Sequence, residues 1–558
     1  MTTSRSRHSK HAAAVLLATT LIAASFPAHS DERTDLETLR ATTVSLIEAL
    51  VDSGVLSRAK ADKLFKDAAV SAQAKLAATQ AAEVQPPELG KDGKKIVRVP
   101  YISEAVKLEM RNQIKQEVLA QSKTERWGEP GALPEWMRRF KFEGDVRVRY
   151  EQTKLNRNNT LAGADYTDDL YTRAADIVGN ALIGGTSSFD TQEDKSRSRL
   201  RARLGVTAQI SDTVTAGMTF STGNTTDRTS TNQTLGQNFN KYSVVLDRGY
   251  IKLDPKPWVS FSAGRIANPY FGTDLLWADD LNFEGFALTV KPKVSDDFHP
   301  FATAGYFPLR EGNPGSSTSR SLVGLQTGFD WKLAPQTKLK VAASLYQFHN
   351  IEGQSETNET HATATDYVTR YEYAAGFRQR GNTLFYVNAP DDPNVNWGLA
   401  SKFRELNLTA SLDLAQLNPV HVILTGDYVK NTGFDRSDIE KRTGFRIEDG
   451  RNYGYLGKVQ VGHPTMAERG DWNVSLAYRY LGSDAVLDAF TNSDFGLGGT
   501  NNKGILFGLN YGIDKNTWLS ARWLQSDLID PMVPRRIGST PVTKLSVDVF
   551  QVDLNARF

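Results

Sequence analysis

From Phe140 to its last residue the chain repeats one pattern: short segments in which apolar and polar side chains alternate, joined by connections that run long, short, long, short. Sixteen such segments can be read, at 140–152, 196–210, 213–223, 244–253, 258–266, 283–293, 298–308, 321–333, 336–348, 401–413, 419–430, 454–463, 470–482, 502–513, 516–526 and 546–558. A period of two places one set of side chains on each face of a β-strand. The short connections carry turn chemistry, such as "SD" at 211–212, "DPKP" at 254–257 and "DKN" at 514–516. The long ones include 153–195, 267–282 and 349–400. A soluble sandwich has no reason to sort its connections by length. A closed barrel in an outer membrane does, with short turns on the periplasmic side, long loops outside and an even number of strands. The pattern therefore predicts an all-β transmembrane barrel of about 16 antiparallel strands. The faces of 244–253 and 298–308 cannot be assigned from the alternation.

The stretch "SRSRLRARLGV" (196–206) sharpens this reading. Arg197, Arg199, Arg201 and Arg203 share one face, and Leu200, Ala202, Leu204 and Val206 share the other. An arginine turned to lipid near the bilayer midplane costs about 2–4 kcal/mol. The four guanidiniums must therefore line the interior. The first segment adds Arg147 and Arg149 to the same wall, with Glu143, Asp145 and Glu151 available to pair with them. Tyr150, Trp258, Trp331, Tyr428, Trp472, Tyr480 and Trp523 lie near strand ends, where interfacial aromatic girdles are expected.

The N-terminal quarter differs. Arg5, Arg7 and Lys10 precede an apolar run from Ala12 to Phe26 and the small residues of "AHS" at 28–30, which reads as a signal peptide (1–30) cleaved after Ser30. Residues 31–125 show helical spacing, including a seam of Val106, Met110, Ile114 and Val118, and are expected to form a helical periplasmic segment that packs on itself or drives self-association. Prolines mark 126–139 as a linker, leaving 140–558 for the barrel.

Lys and Arg total 66 against 64 Asp and Glu, so net charge gives no case for a nucleic-acid partner. A mean hydropathy of −0.41 is compatible with a membrane barrel, because only half of each strand faces lipid. The absence of cysteine removes disulfides and thiolate chemistry. After the signal segment five histidines remain (His299, His349, His361, His421 and His463), none in H-x-x-x-H spacing, and no G-x-S-x-G is present. The sequence reads as no enzyme and calls for no metal or cofactor.

Several stretches resemble the bacterial "putative porin" family, a relative of the general porins: "GDVRVRYE" (144–151), "RLRARLGV" (199–206), "TNQTLG" (231–236), "LDRGYIKL" (246–253), "NPYFGTDLLWADDLNFEG" (268–285) and the terminal "ARF", with "IEALVDSGVLSRAKADKLF" (47–65) resembling that family's leader. The resemblance implies an outer-membrane channel for passive diffusion of small hydrophilic solutes and ions. It implies a homotrimer and surrounding outer-membrane lipid. The terminal Phe558, which closes a perfectly alternating strand, is similar to the signal read by barrel-assembly machinery.

In general porins the loop after the fifth strand folds into the pore. The corresponding segment here is 267–282, followed by Phe283 and Glu284. The resemblance thus predicts a constriction with Asp274, Asp279, Asp280 and Glu284 opposite Arg147, Arg149, Arg197, Arg199, Arg201 and Arg203, and with Tyr270, Phe271 and Trp277 as anchors. Two readings compete for the arginines: they set a field across the pore, or they are salt-bridged and hold the wall together. Six arginines also suggest an anion- or phosphate-preferring channel; Lys338 and Lys340, on a distant strand, add nothing to that reading. A surface adhesin or receptor built on the long loops is the remaining alternative.

Overall fold

The computed structural model describes residues 137–160, 176–178, 181–183, 191–312, 318–355, 371–374, 376–388, 396–447, 449–531 and 543–558. The expected signal peptide, helical segment and nearly all of the linker lie outside the described residues.

Sixteen long strands form the wall: β1 (Phe140–Leu155), β2 (Lys195–Gln209), β3 (Val214–Thr222), β4 (Val244–Lys256), β5 (Val259–Ala267), β6 (Asn282–Val290), β7 (Phe298–Arg310), β8 (Arg320–Ala334), β9 (Thr337–His349), β10 (Arg404–Leu417), β11 (Val420–Asn431), β12 (Tyr453–Gly462), β13 (Trp472–Leu481), β14 (Asn502–Asp514), β15 (Thr517–Leu528) and β16 (Ser546–Arg557). Each pairs antiparallel with the next, and β16 pairs with β1 from Asp145↔Arg557 to Leu155↔Val547, which closes the sheet. Closure removes every open edge, as a spanning sheet requires. The terminal residue completes the seam: Phe558 and Gly144 exchange backbone hydrogen bonds of 2.9 and 3.0 Å, and the Phe558 ring lies over Gly144.

The outward face is apolar and exposed, as in Phe142, Val146, Val148 and Tyr150 on β1 and Val552 and Leu554 on β16. No helix among the described residues is long and apolar enough to cross a membrane. The two ambiguous segments now have reasons. In β4 the register with β3 shifts between Thr219 and Phe220, a bulge beside Asp247 that breaks the alternation. In β7 both faces are apolar, because the inner residue Phe307 is buried under a loop while Tyr306 stays exposed outside. The tenth strand starts later than its pattern predicts, at Arg404, and the buried Phe403 just before it packs edge-on against Phe348.

The loops on one end fold into the lumen. The β5–β6 loop (268–281), parts of the β9–β10 loop (350–403) and the β13–β14 loop (482–501) share one hydrophobic cluster with wall residues Phe283, Phe307, Leu322, Tyr346, Phe348 and Leu481. The interior is thus apolar and packed along the arc from β6 to β13, and charged along the arc from β15 through β16 and β1 to β2.

Candidate functional site in the barrel lumen

Strand register dictates the electrostatics of the charged arc. Arg147 lies opposite Arg201, and Arg149 opposite Arg199, while Glu151 faces Arg197 and Asp145 faces Arg203. Like charges directly opposite each other on one face of a sheet repel. Acids resolve the conflict at short range. Glu151 takes Arg197 at 2.5 Å and Arg199 at 3.5 Å. Asp145 takes Arg201 at 2.8 Å and Arg203 at 2.7 Å. Asp553, which the β1–β16 register sets beside Arg149, pairs with it at 2.7 Å.

Two further carboxylates come from inward loops. Asp280 of the β5–β6 loop reaches Arg203 at 3.2 Å and Arg201 at 3.6 Å, and accepts a hydrogen bond from Thr231 Oγ1 at 3.1 Å. Asp494 of the β13–β14 loop lies 2.9 Å from Arg149, 3.8 Å from Arg199 and 2.8 Å from Arg522 of β15. Asp494 therefore bridges one of the two opposed arginine pairs. Burial alone would raise both carboxyls. For Asp494 the charges of Arg522, Arg149 and Arg199 outweigh burial and hold it well below the usual carboxylate range. For Asp280 the charges of Arg201, Arg203 and Arg147 do the same. Arg147 is the exception in the ladder. It donates to the neutral Asn232 side chain at 2.6 Å and has no ion pair among the described residues.

The other side of the β5–β6 loop is bedded on the apolar arc. Tyr270 packs edge-on against Tyr346, Phe283 and Phe307, with ring centroids 5.0–6.3 Å apart. It fits because β7 and β8 carry glycine beneath it: a Cβ on Gly324 would lie 2.2 Å from Tyr270 Oη, and one on Gly305 2.6 Å. Trp277 is 4 % exposed and meets Phe283 and Tyr346 edge-on at 5.1 Å. The backbone of Phe271 is held at both ends by the buried Gln326, which accepts from Phe271 N at 2.8 Å and donates to its carbonyl at 2.7 Å. Thr273 donates through its hydroxyl to Asp427 of β11 at 2.6 Å. The loop is also tied to its neighbour: Ala278 N donates to the Phe490 carbonyl at 2.8 Å.

The structure thus brings Arg147, Arg149, Arg197, Arg199, Arg201, Arg203 and Asp280 into one lumen wall. Asp280 is in contact with the arginines rather than across an open gap from them. Asp274 turns to Asn492, whose amide donates to it at 2.9 Å, and Asp279 stays exposed on the loop. Glu284 joins no arginine of the wall; it pairs with Arg265 of β5 at 2.5 Å. Sequence reasoning missed Asp494, Arg522, Asp553 and Asn232. The period-two pattern puts Asp553 and Arg522 on inner faces, but Asp494 sits in "TNSDFGLGG" and reads there as an ordinary polar loop residue.

The family described as "Putative porin" matches residues 40–558. Among solved structures, an outer-membrane protein OmpT of Vibrio cholerae in trimer form is 10% identical, with 75% of this chain and 99% of that chain covered at a TM-score of 0.36. The Salmonella typhi OmpF complex with daunomycin is 11% identical, covering 75% and 97%, with a TM-score of 0.36. Pseudomonas putida OprB at high pH is 10% identical, covering 75% and 94%, with a TM-score of 0.40. No curated protein matches the chain.

Proposed function

The chain belongs to the putative porin family and is an outer-membrane channel; on that premise we propose that it passes small hydrophilic solutes and ions passively, through a constriction bounded by the arginine ladder and by the β5–β6 and β13–β14 loops. The observation that carries this reading is the way Asp280 and Asp494 meet the ladder: two inward loops are fixed against one charged wall by shared carboxylates. Fixed charges in a narrow, low-dielectric passage orient polar solutes and slow apolar ones. Catalysis is no part of this reading. The homotrimer belongs to it on the strength of the sequence resemblance, as do outer-membrane lipid as the surround and Phe558 as the residue recognised by assembly machinery.

A second reading, anion preference, is favoured by one observation. The ladder holds seven guanidiniums (Arg147, Arg149, Arg197, Arg199, Arg201, Arg203 and Arg522) against five carboxylates (Asp145, Glu151, Asp280, Asp494 and Asp553), and Arg147 faces a neutral amide. Planar-bilayer recording tests both. Wild type should give discrete conductance steps, and reversal potentials in asymmetric potassium chloride should show mild anion preference. Replacing Arg199 and Arg201 together by glutamine should shift selectivity towards cations and change single-channel conductance. Unchanged conductance and selectivity would leave the arginines as wall braces only.

A further inference from the structure

The arginine ladder is largely neutralised, yet a second cationic surface in the lumen is not. Beneath the β5–β6 loop, towards the turns that join β6 to β7 and β8 to β9, a cavity of about 420 Å³ is lined by Phe271, Phe301, Lys291, Lys340, Gln326 and Asp330 among others. A neighbouring cavity of about 580 Å³ shares Lys291 and Pro269 with it and adds Arg248, together with Lys252, which is paired with Asp254 at 3.0 Å. Neither Lys291 nor Lys340 has an ion pair among the described residues. Asp330, opposite Lys340 in the β8–β9 register, is the carboxylate lining the first cavity, so its two ammonium groups outnumber its acids.

The cationic centre is also an aromatic one. The Lys340 ammonium lies 4.3 Å from the ring centroid of Phe271 and 5.4 Å from that of Phe301. An ammonium held over aromatic faces is placed without being neutralised. Phe271 cannot drift, because Gln326 grips its backbone from both sides. The cavity falls within the usual 300–1,000 Å³ range of small-molecule sites and combines apolar walls with a few fixed polar groups.

We propose that this cavity is a binding station for aromatic monocarboxylates, on the periplasmic side of the β5–β6 loop. The carboxylate sits between Lys340 and Lys291, and the ring lies along Phe271 and Phe301. A single negative charge suits a site with two ammonium groups and one nearby aspartate, whereas an uncharged aromatic gains only the apolar contact. The station rests on the channel reading: a solute that clears the arginine ladder meets it before leaving the barrel. Such a site should be weak, because a transported solute must also leave.

The test is single-channel recording of the full protein with benzoate as probe. Benzyl alcohol, cyclohexanecarboxylate and inorganic phosphate are the comparison solutes. Benzoate should interrupt each channel's own ligand-free current with an apparent Kd on the order of millimolar. Lys340→Met should weaken that blockade about tenfold, equivalent to about 1.4 kcal/mol, Lys340→Arg should restore most of it, and Phe301→Leu should weaken benzoate more than cyclohexanecarboxylate. Open channels that benzoate does not interrupt would overturn the station and leave the channel reading standing; absence of any channel would overturn the channel reading itself. Blockade by phosphate as strong as by benzoate, or unchanged blockade in Lys340→Met, would also overturn it. Phe301→Leu, which keeps an apolar residue, serves if Lys340→Met fails to assemble.

Discussion

Two arcs of the same lumen hold the same loop by opposite means. On the apolar arc, β6 to β13, the β5–β6 loop is embedded through Tyr270, Trp277 and Leu275, all nearly inaccessible to solvent. On the charged arc, β15 through β2, it touches the wall through one carboxylate, Asp280, shared by two arginines. The first attachment rests mainly on non-directional burial that scales with apolar area, with the Gln326 and Asp427 hydrogen bonds added to it. The second depends on register, on geometry and on the ionic surroundings. A loop fixed by grease on one side and by charge on the other keeps its position while leaving a polar strip wet.

The largest expected effect lies on the apolar arc. Trp277→Ala should cost about 3–5 kcal/mol, the usual cost of deleting a buried indole, read as a lowered denaturant midpoint in detergent. It should also give larger, noisier channels as the loop loosens. Next comes Asp494→Asn on the charged arc. It removes the shared partner of Arg149, Arg199 and Arg522, the first of which is 1 % exposed. Removing one side of a buried ion pair costs about 3 kcal/mol or more where nothing else compensates; Asp553 remains beside Arg149, so a smaller loss is expected, with a shift towards anion selectivity. Salt separates the arcs. Raising potassium chloride from about 0.1 to about 1 M shortens the Debye length from about 10 to about 3 Å. The Asp494→Asn selectivity shift should shrink, and the Trp277→Ala stability loss should not. Equal salt sensitivity of the two would break the comparison.

The same contrast explains what could be read in the sequence. The barrel was legible because lipid punishes every misplaced charge: Arg197 to Arg203 cannot alternate with leucine and alanine unless one face is wet. Closure was legible because the connections alternate long and short around an even number of strands. On the charged arc, the inner position of each arginine followed from period two, but not the opposition of Arg149 to Arg199. That depends on the stagger between neighbouring strands, which no single strand records. Nor did "TNSDFGLGG" reveal that Asp494 would fold back onto them. On the apolar arc the signal was blurred at its source. Phe307 faces inward but looks lipid-facing, because the loop that covers it replaces water with Tyr270. Lys340 looked remote for a related reason: it lies far from the arginines, and only the inward path of Phe271 gives it a neighbour.

The smallest expected effect is a titration on the boundary between the arcs. Asp279 is exposed on the loop beside Asp280, yet surrounding protein removes much of its bulk water. Burial, then the charges of Asp274 and Asp280, push its carboxyl up to about 6, while Arg522 and Lys458, facing it from β15 and β12, pull the other way. Below that pH Asp279 is neutral; above it the lumen gains one negative charge. Cation permeability relative to anion should therefore rise as pH increases from about 5 to about 7. One charge acting over about 8 Å of water-like medium is worth about 0.5 kcal/mol, close to a twofold change in the permeability ratio. Asp494 and Asp280 stay ionised across this window, because their arginine partners hold them low. The decisive comparison is with Asp279→Asn, whose reversal potential should drift less between these pH values than that of the wild type. An undiminished drift in that variant would place the titrating group elsewhere and make Asp279 part of the charged arc's fixed charge.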